Sequence, residues 1–283
     1  MGGKQLQFTF HNEYDPDLVI GSGTAYGIID LDGFDGSDFD VTTEDYGFDG
    51  GYRKKQRVGV RQMGIHFAAD TDAAEAKERV LGHFTPYKDG RLTVVSEGVT
   101  RAIDYYVKTT QNKRDNMFAP VEFELQLIGT GGYFKDDGWN LADLATWEGG
   151  LKLPHAGRFK LRHRASQYKT IHNDGHAATP LWITFKGPAQ YPKVKNITTG
   201  KEIQLATTMG ANQTLSIITS MNNPRIYIED TSGNKINGYP YLTNASDLEF
   251  FLEIGDNVFQ YATANSEQIN EVTLRYKRYY VGI

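Results

Sequence analysis

The sequence predicts a mainly β protein built from two domains with a single helix, and three observations carry that prediction. From Ala178 to Ile283 the chain runs in short segments that alternate apolar and polar residues, with turn formers about every eight to twelve residues. The first half repeats this alternation in longer segments. One stretch alone, near residue 75, carries a capped pattern of helical period.

Taken in order, Leu6, Phe8 and Phe10 alternate with Gln5, Gln7 and Thr9 and predict the first strand. The Asp- and Gly-rich stretch 30–49 predicts a long surface loop holding at most a short strand. Arg53-Lys54-Lys55 with Arg57 follows at once. Val58 and Val60 then share one parity while Met63, Ile65 and Phe67 share the other, which predicts a β-bulge eased by Gly64. Asp72 with Glu75 three residues on predicts a helix over about 71–83, whose buried face is Ala73, Ala76, Val80 and Phe84. Strands are expected over Arg91–Val95, Val99–Val107 and Val121–Leu127, the last with Glu122, Glu124 and Gln126 facing solvent. Gly129-Thr-Gly-Gly132 and Gly138 mark the break between a domain 1–132 and a domain 133–283. Trp139 to Leu153 is ambiguous, with a weak helical period at Leu141, Leu144 and Ala145. In the second domain Leu181–Phe185, Lys201–Leu205, Arg225–Glu229 and Val272–Lys277 alternate as half-buried strands, the last running on into Tyr279–Ile283. These make an antiparallel β-sandwich.

Composition removes whole classes of function. The chain has 283 residues and no cysteine, which excludes disulfides, thiol chemistry and Cys-ligated zinc. It has no run of eighteen apolar residues, and its first residues lack the order of a signal peptide, so the expectation is synthesis in a reducing cytoplasm without membrane insertion. Net charge is −5, unevenly placed: residues 1–50 hold eleven Asp/Glu and one Lys, and the remainder carries a basic excess. Asymmetry of this kind concerns association surfaces, and it lacks the interleaved aromatics and basic surplus of a specific nucleic-acid binder.

Catalytic constellations are not evident. There is no Gly-x-Ser-x-Gly elbow, and Gly21-Ser-Gly23-Thr-Ala-Tyr-Gly27 misses dinucleotide spacing. Glu122 and Glu124 could serve as paired carboxylates of a glycan-cleaving enzyme, but alternation explains them as solvated. His172 and His176 could ligate a metal, although their polar surroundings favour an ordinary turn. The Asp run 30–40 fails the EF-hand order, with Phe34 at position 5 and Asp35 at position 6, while irregular calcium loops remain open. Trp182, Tyr191, Tyr227, Tyr239 and Tyr241 would suit a sugar-stacking platform or plain sandwich packing. No cofactor or metal site is expected.

The order of motifs resembles the distal tail proteins of long-tailed bacteriophages (siphoviruses). In the second domain the resemblance rests on Gly187, Pro192, Asn196-Ile-Thr-Thr-Gly200-Lys-Glu-Ile-Gln-Leu205 and Leu252-Glu-Ile-Gly-Asp-Asn257-Val-Phe-Gln-Tyr261, with Ile254 where that family usually has Pro. In the first it rests on the strand near Arg57, Arg79-Val-Leu81, Thr85-Pro-Tyr-Lys-x-Gly90-x-Leu92, Arg101-x-Ile103 and Tyr106-Val107. The resemblance implies an N-terminal β-rich belt domain with one helix and a C-terminal galectin- or carbohydrate-binding-module-like sandwich. It implies a non-enzymatic homohexameric ring at the virion tail tip of a phage or prophage. The ring would join the tail tube protein to the tail-associated hub protein or a fibre, with receptor-binding proteins as further partners. Candidate subunit-interface residues are Arg53, Lys54, Lys55 and Arg57, and a second strand face of Arg158, Lys160, Arg162 and Arg164. The acidic stretch 30–49 has no typical counterpart in that family and would bind calcium, line the channel or form an interface. The second reading, from another class, is a carbohydrate-binding sandwich protein that recognises the host surface.

Overall fold

Strand β1 (Leu6–Asn12) forms where the alternation begins, and the rings of Phe8 and Phe10 are fully buried. The structure is a computed structural model that describes residues 5–144, 168–220, 222–264 and 271–283, with backbone only for 147–148 and 163–164. The chain divides into two units, Met1–Asp137 with Tyr279–Ile283, and Gly138–Arg278.

In the first unit β1 is followed by β2 (Leu18–Gly21), β3 (Tyr26–Asp32), β4 (Phe39–Asp45), β5 (Gly51–Val58) and β6 (Arg61–Ala69). Helix α1 (Ala73–His83), β7 (Gly90–Ser96), β8 (Val99–Lys113), β9 (Val121–Gly129) and β10 (Phe134–Asp136) complete it. The main sheet runs β2-β1-β7-β8-β9-β6-β3 and is antiparallel. Its edge strands β2 and β3 come together, so the sheet curls around one core. That core holds Phe8, Phe10, Phe67, Phe123 and Phe134, closed by Ala76, Val80 and Phe84 of the helix region. The helix starts where the carboxylate of Asp72 accepts the amides of Ala74 and Glu75 at 2.9 and 3.2 Å.

Three expectations are corrected here. The stretch 30–49 is not a loop with a short strand, because β4 pairs with β5 in a separate two-stranded hairpin. The parity switch after Val58 is not a bulge, because β5 ends at Val58 and β6 begins at Arg61, with Gly59 donating to the Asp38 carbonyl at the corner. The chain end does not run on within the sandwich. Tyr279–Tyr280 pairs with β10, Phe134 opposite Tyr280 and Lys135 opposite Tyr279, so the last five residues belong to the first unit. The second unit is therefore inserted between two neighbouring strands of the first.

The second unit contains β11 (Asn140–Asp143), the short pair β12 (Trp147–Glu148) and β13 (His163–Arg164), then β14 (Tyr168–Asn173), β15 (Thr179–Lys186), β16 (Ala189–Gln190) and β17 (Lys193–Asn196). It continues through β18 (Glu202–Gln204), β19 (Thr208–Met209), β20 (Thr214–Ile218), β21 (Arg225–Glu229) and β22 (Lys235–Asn237). Its last strands are β23 (Phe251–Leu252), β24 (Gly255–Ala262) and β25 (Glu271–Tyr276), after which Tyr279–Tyr280 is β26 of the first unit. One sheet runs β11-β25-β15-β20-β21-β22 and the facing sheet β14-β24-β17-β18. Phe185, Ile183, Leu274, Phe250, Phe259 and Tyr261 pack in one core drawn from both, which makes an antiparallel sandwich. The weak helical period at Leu141 and Leu144 is overruled, because Asn140–Asp143 is a strand on β25.

Candidate subunit interface

The β4–β5 hairpin stands apart from both cores. Neither strand pairs with any other, and every residue from Asp38 to Arg57 is exposed. The register sets Phe39 opposite Val58 and Val41 opposite Gln56 on one face, and Asp40 opposite Arg57 and Thr42 opposite Lys55 on the other. At the tip Tyr46 stacks on Phe48 with centroids 5.4 Å apart and lies 5.6 Å from Tyr52, although the Phe48 side of the stack stays open, at 78% exposure. The hydrophobic alternation of β4 thus has no core beneath it. We call this hairpin the arm.

The four candidate cations of the first set all lie on the outgoing strand of the arm, β5. Lys54 pairs with Glu44 at 2.7 Å and Arg57 with Asp40 at 2.7 Å. Arg53 donates to Gln56, and neither Arg53 nor Lys55 meets a carboxylate among the described residues. Glu44 is held below the usual carboxylate range by its hydrogen bond from Lys54 and then by that from Tyr52. Of the second set, Arg158, Lys160 and Arg162 lie outside the described residues, and Arg164 is described only as backbone in β13 opposite Trp147.

The arm is anchored at its base by a residue of different character. Arg61 is 4% exposed and donates through Nη1 to the carbonyls of Gly33, at 2.6 Å, and Gly36. Nη2 donates to the Ser37 hydroxyl and the Val281 carbonyl, Nε to the Gly132 carbonyl at 3.3 Å, and the guanidinium lies 4.8 Å from the Phe134 ring centroid. Burial pushes its pKa below the ordinary arginine value, opposed by Asp38. Gly33 needs its positive φ of +75° and its bare Cα, since a Cβ there would meet the Gln62 carbonyl at 1.9 Å. Arg101 holds the same tail, donating to the Gly282 carbonyl and lying 4.1 Å from the Tyr280 ring centroid.

A groove of about 390 Å³ opens on the outer face of β3, β6 and β9, lined by Asp30, Asp32, Gln62, His66, Lys108 and Glu124 among others. A bulge between Ile28 and Asp30 creates it. Before the bulge Tyr26 and Ile28 point to the core; after it Leu31 does, and Asp30 and Asp32 turn outward beside His66. His66 pairs with Glu122 at 3.1 Å, whereas Asp30, Asp32 and Glu124 meet no cation among the described residues.

The metal readings gain no geometry. No group of three or more His, Asp or Glu could hold an ion among the described residues. His172 pairs with Asp256 at 2.7 Å and not with His176. The aromatic candidates do not converge: Trp182 and Tyr227 lie on separate strands of one sheet, Tyr191 on the approach to β17, and Tyr239 and Tyr241 in a 3-10 turn. Sequence reading missed Trp139, which is 52% exposed and meets Trp182 edge to face at 5.9 Å, with Lys277 5.3 Å and Arg275 5.1 Å from the two rings.

Residues 174–280 match the family described as siphovirus-type tail component, C-terminal domain. The whole chain is similar to the crystal structure of SPP1 Dit, titled a paradigm of the hub adsorption apparatus in phages infecting Gram-positive hosts, with TM-score 0.68 and 12% identity over 96% of this chain and 98% of that one. It is also similar to a chain of the phage P2 baseplate in its activated conformation with Ca, with TM-score 0.52 and 11% identity over 99% of both chains. The corresponding structure with Sr gives TM-score 0.52 and 12% identity over 100% of each. No curated protein matches. The distal tail resemblance read from the sequence is supported by the family match of the second unit and by the fold of the full-length chain. No helix of the described residues is long and apolar enough to cross a membrane.

Proposed function

We propose that this siphovirus tail component is a ring-forming adaptor: six copies close through the first unit, between the tail tube protein and the baseplate hub or fibre. The observation that carries the proposal is the end-to-end likeness to SPP1 Dit, which spans both units of the chain and leaves almost none of either protein unmatched. The role is non-enzymatic, its mechanism being the geometry of assembly, and it is exercised at the virion tail tip. An arm exposed along its whole length supports association, since an isolated two-stranded hairpin is at best marginally stable in water. Native mass measured by light scattering over a wide concentration range, with negative-stain images, tests the proposal. Six-fold rings are expected. Monomer at every concentration and ionic strength would overturn it.

A second reading, recognition of host-surface carbohydrate by the second unit, draws on Trp139, whose exposed ring beside Trp182 offers a stacking face for a sugar. A glycan array probed with the full chain and with Trp139→Ala separates the two. Binding lost in the variant would support this role, and an empty array would leave the adaptor alone.

A further inference from the structure

The outward face of the sheet β11-β25-β15-β20-β21-β22 carries an ordered row of side chains. The register sets Leu141 opposite Arg275, Arg275 opposite Trp182, Trp182 opposite Ile218 and Ile218 opposite Arg225. Along the strands these positions alternate with Leu181, Ile183, Leu274, Ile217 and Ile226 of the core, so the row faces away from it. The next row of the same face, Thr273, Thr184, Ser216 and Tyr227, carries a hydroxyl at every place. Trp139 stands at the β11 end with its ring exposed, edge to face with Trp182.

Arg275 is the exception on this face. It is half-buried, its guanidinium lies over the Trp182 ring, and it makes no hydrogen bond or ion pair among the described residues. Its Nε, like the indole Nε1 of Trp182, is buried without a partner. A cation withdrawn from water costs free energy unless an anion meets it. The carboxylates of the same face are engaged elsewhere. Asp143 accepts from Thr273 at 2.9 Å, Glu271 pairs with Lys186 at 2.6 Å, and Glu229 with Lys235 at 3.7 Å. Arg225, exposed at the far end of the row, also meets no carboxylate among the described residues, and Lys277 beside Trp139 adds a further positive charge.

We propose that this face binds an acidic glycan, a saccharide bearing carboxylate groups, with Trp139 stacked on a sugar ring and Arg275 holding the carboxylate. This rests on the carbohydrate reading above and names the class of ligand. The electron-rich face of an indole attracts the C–H groups of a sugar ring. A guanidinium matches a carboxylate with two parallel hydrogen bonds. A uronic acid brings the two contacts together, because its carboxylate is attached to the sugar ring itself. The phosphate of a polyol phosphate has no ring beside it to offer the indole. Arg225 lies three strand spacings from Arg275, about 14 Å, which is the span of a short oligosaccharide. A second acidic unit therefore reaches it, with the row of hydroxyls alongside to meet the sugar hydroxyls.

The full chain is screened on paired neutral and carboxylated glycans together with poly(glycerol phosphate). Calorimetry then compares the wild type with Trp139→Ala, Arg275→Gln and Arg225→Gln on each pair that binds. Carboxylated glycans are expected to bind, and their neutral counterparts about tenfold more weakly. Trp139→Ala should abolish both. Arg275→Gln should weaken the carboxylated member by about tenfold while leaving the neutral one unchanged, and Arg225→Gln should matter only for the longer chains. Since Arg275 has no hydrogen bond to lose, the melting temperature of Arg275→Gln should be unchanged or higher. A marked fall would make Arg275 part of the fold and overturn the proposal. Equal binding of both members of each pair would overturn it and leave the carbohydrate reading standing. Binding of poly(glycerol phosphate) alone would overturn it in favour of a phosphate ligand. An empty array would overturn this inference and the carbohydrate reading together.

Discussion

Arg57 and Arg61 are four residues apart and carry the same charge, yet they obey different physics. Arg57 lies on the arm with its side chain 63% exposed, paired with Asp40 through one contact of 2.7 Å. Arg61 lies just past the corner at Gly59, 4% exposed, and meets four backbone carbonyls, a hydroxyl and a ring without any carboxylate. In water a guanidinium and a carboxylate gain little from each other, because solvent screens them and both side chains lose entropy. Around the buried guanidinium solvent reaches the acceptors less readily, so a carbonyl left there without a donor would bear a desolvation cost. The first cation is available to a partner. The second is part of the fold, and it ties the chain end to the loop that launches the arm.

The largest effect that sharpens this contrast is removal of the buried group. Arg61→Ala should destabilise the first unit by roughly 3 kcal/mol, since one buried guanidinium's hydrogen bonds and ring contact are lost at once, the Ser37 hydroxyl remaining as a donor to the Gly132 and Val281 carbonyls. That corresponds to a fall in melting temperature on the order of 10 °C for a unit of this size. Arg61→Lys should recover little, because one ammonium cannot serve acceptors spread over the fork of a guanidinium. Calorimetry of the full chain measures both. Deleting residues 279–283 removes the Val281 acceptor, the Arg101 contact and the β10–β26 pairing together, and should cost at least as much. A melt unchanged by the deletion would mean that the tail is not part of the first unit's fold.

A buried group able to shed its charge gives an intermediate case. His83, at the end of α1, is 3% exposed, lies 3.3 Å from the Asn12 amide and meets Phe84 edge to face. Burial lowers its pKa below the ordinary 6.5, Asp15 and Asp17 opposing this and Lys88 and Arg79 adding to it. The unfolded chain therefore binds the proton more readily, so stability is full above about pH 6.5 and falls as pH drops through that value. Melting temperature between pH 7.5 and 5.5 should decline for the wild type, and the slope should flatten in His83→Gln. An identical slope in the variant would assign the decline to other groups.

Much of the fold was legible because it depends on local pattern. Asp72, Ala76, Val80 and Phe84 gave the helix, and Val121, Phe123, Leu125 and Leu127 gave the central strand, since a side chain's face follows from its spacing. The arm was less legible, because β4 alternates around no core and its Asp and Gly content reads as loop. The buried role of Arg61 was not legible, because its partners are carbonyls of Gly33, Gly36, Gly132 and Val281, which leave no trace in residue type. One sign was present: Arg61 shares the inward parity of Met63, Ile65 and Phe67. The tail was misplaced because Val272 to Ile283 reads as one continuous strand pattern, and only three-dimensional pairing shows the crossing at Arg278. The groove needed the bulge after Ile28, an insertion that periodicity cannot locate when Ile28 and Ile29 are the same residue.

The smallest expected effect concerns the exposed half of the comparison. Replacing Arg57 and Asp40 by Ala, singly and together, completes a double-mutant cycle on one arm pair. The coupling energy should be about 0–1 kcal/mol, and the melting temperature should barely move, because the arm contributes nothing to the buried core. The pair should nevertheless matter for association if its charges are screened from one another on the free arm and desolvated when the arm is covered. Half-assembly concentration measured at low and high salt reads that second quantity, as the screening length falls from about 10 Å at 0.1 M to about 3 Å at 1 M. A coupling energy near that of Arg61 would break the distinction, since it would place Arg57 and Asp40 in a dry environment even on the free chain. Weak coupling with salt-sensitive assembly would leave the division standing: one arginine for the fold, its neighbour four residues earlier for the partner.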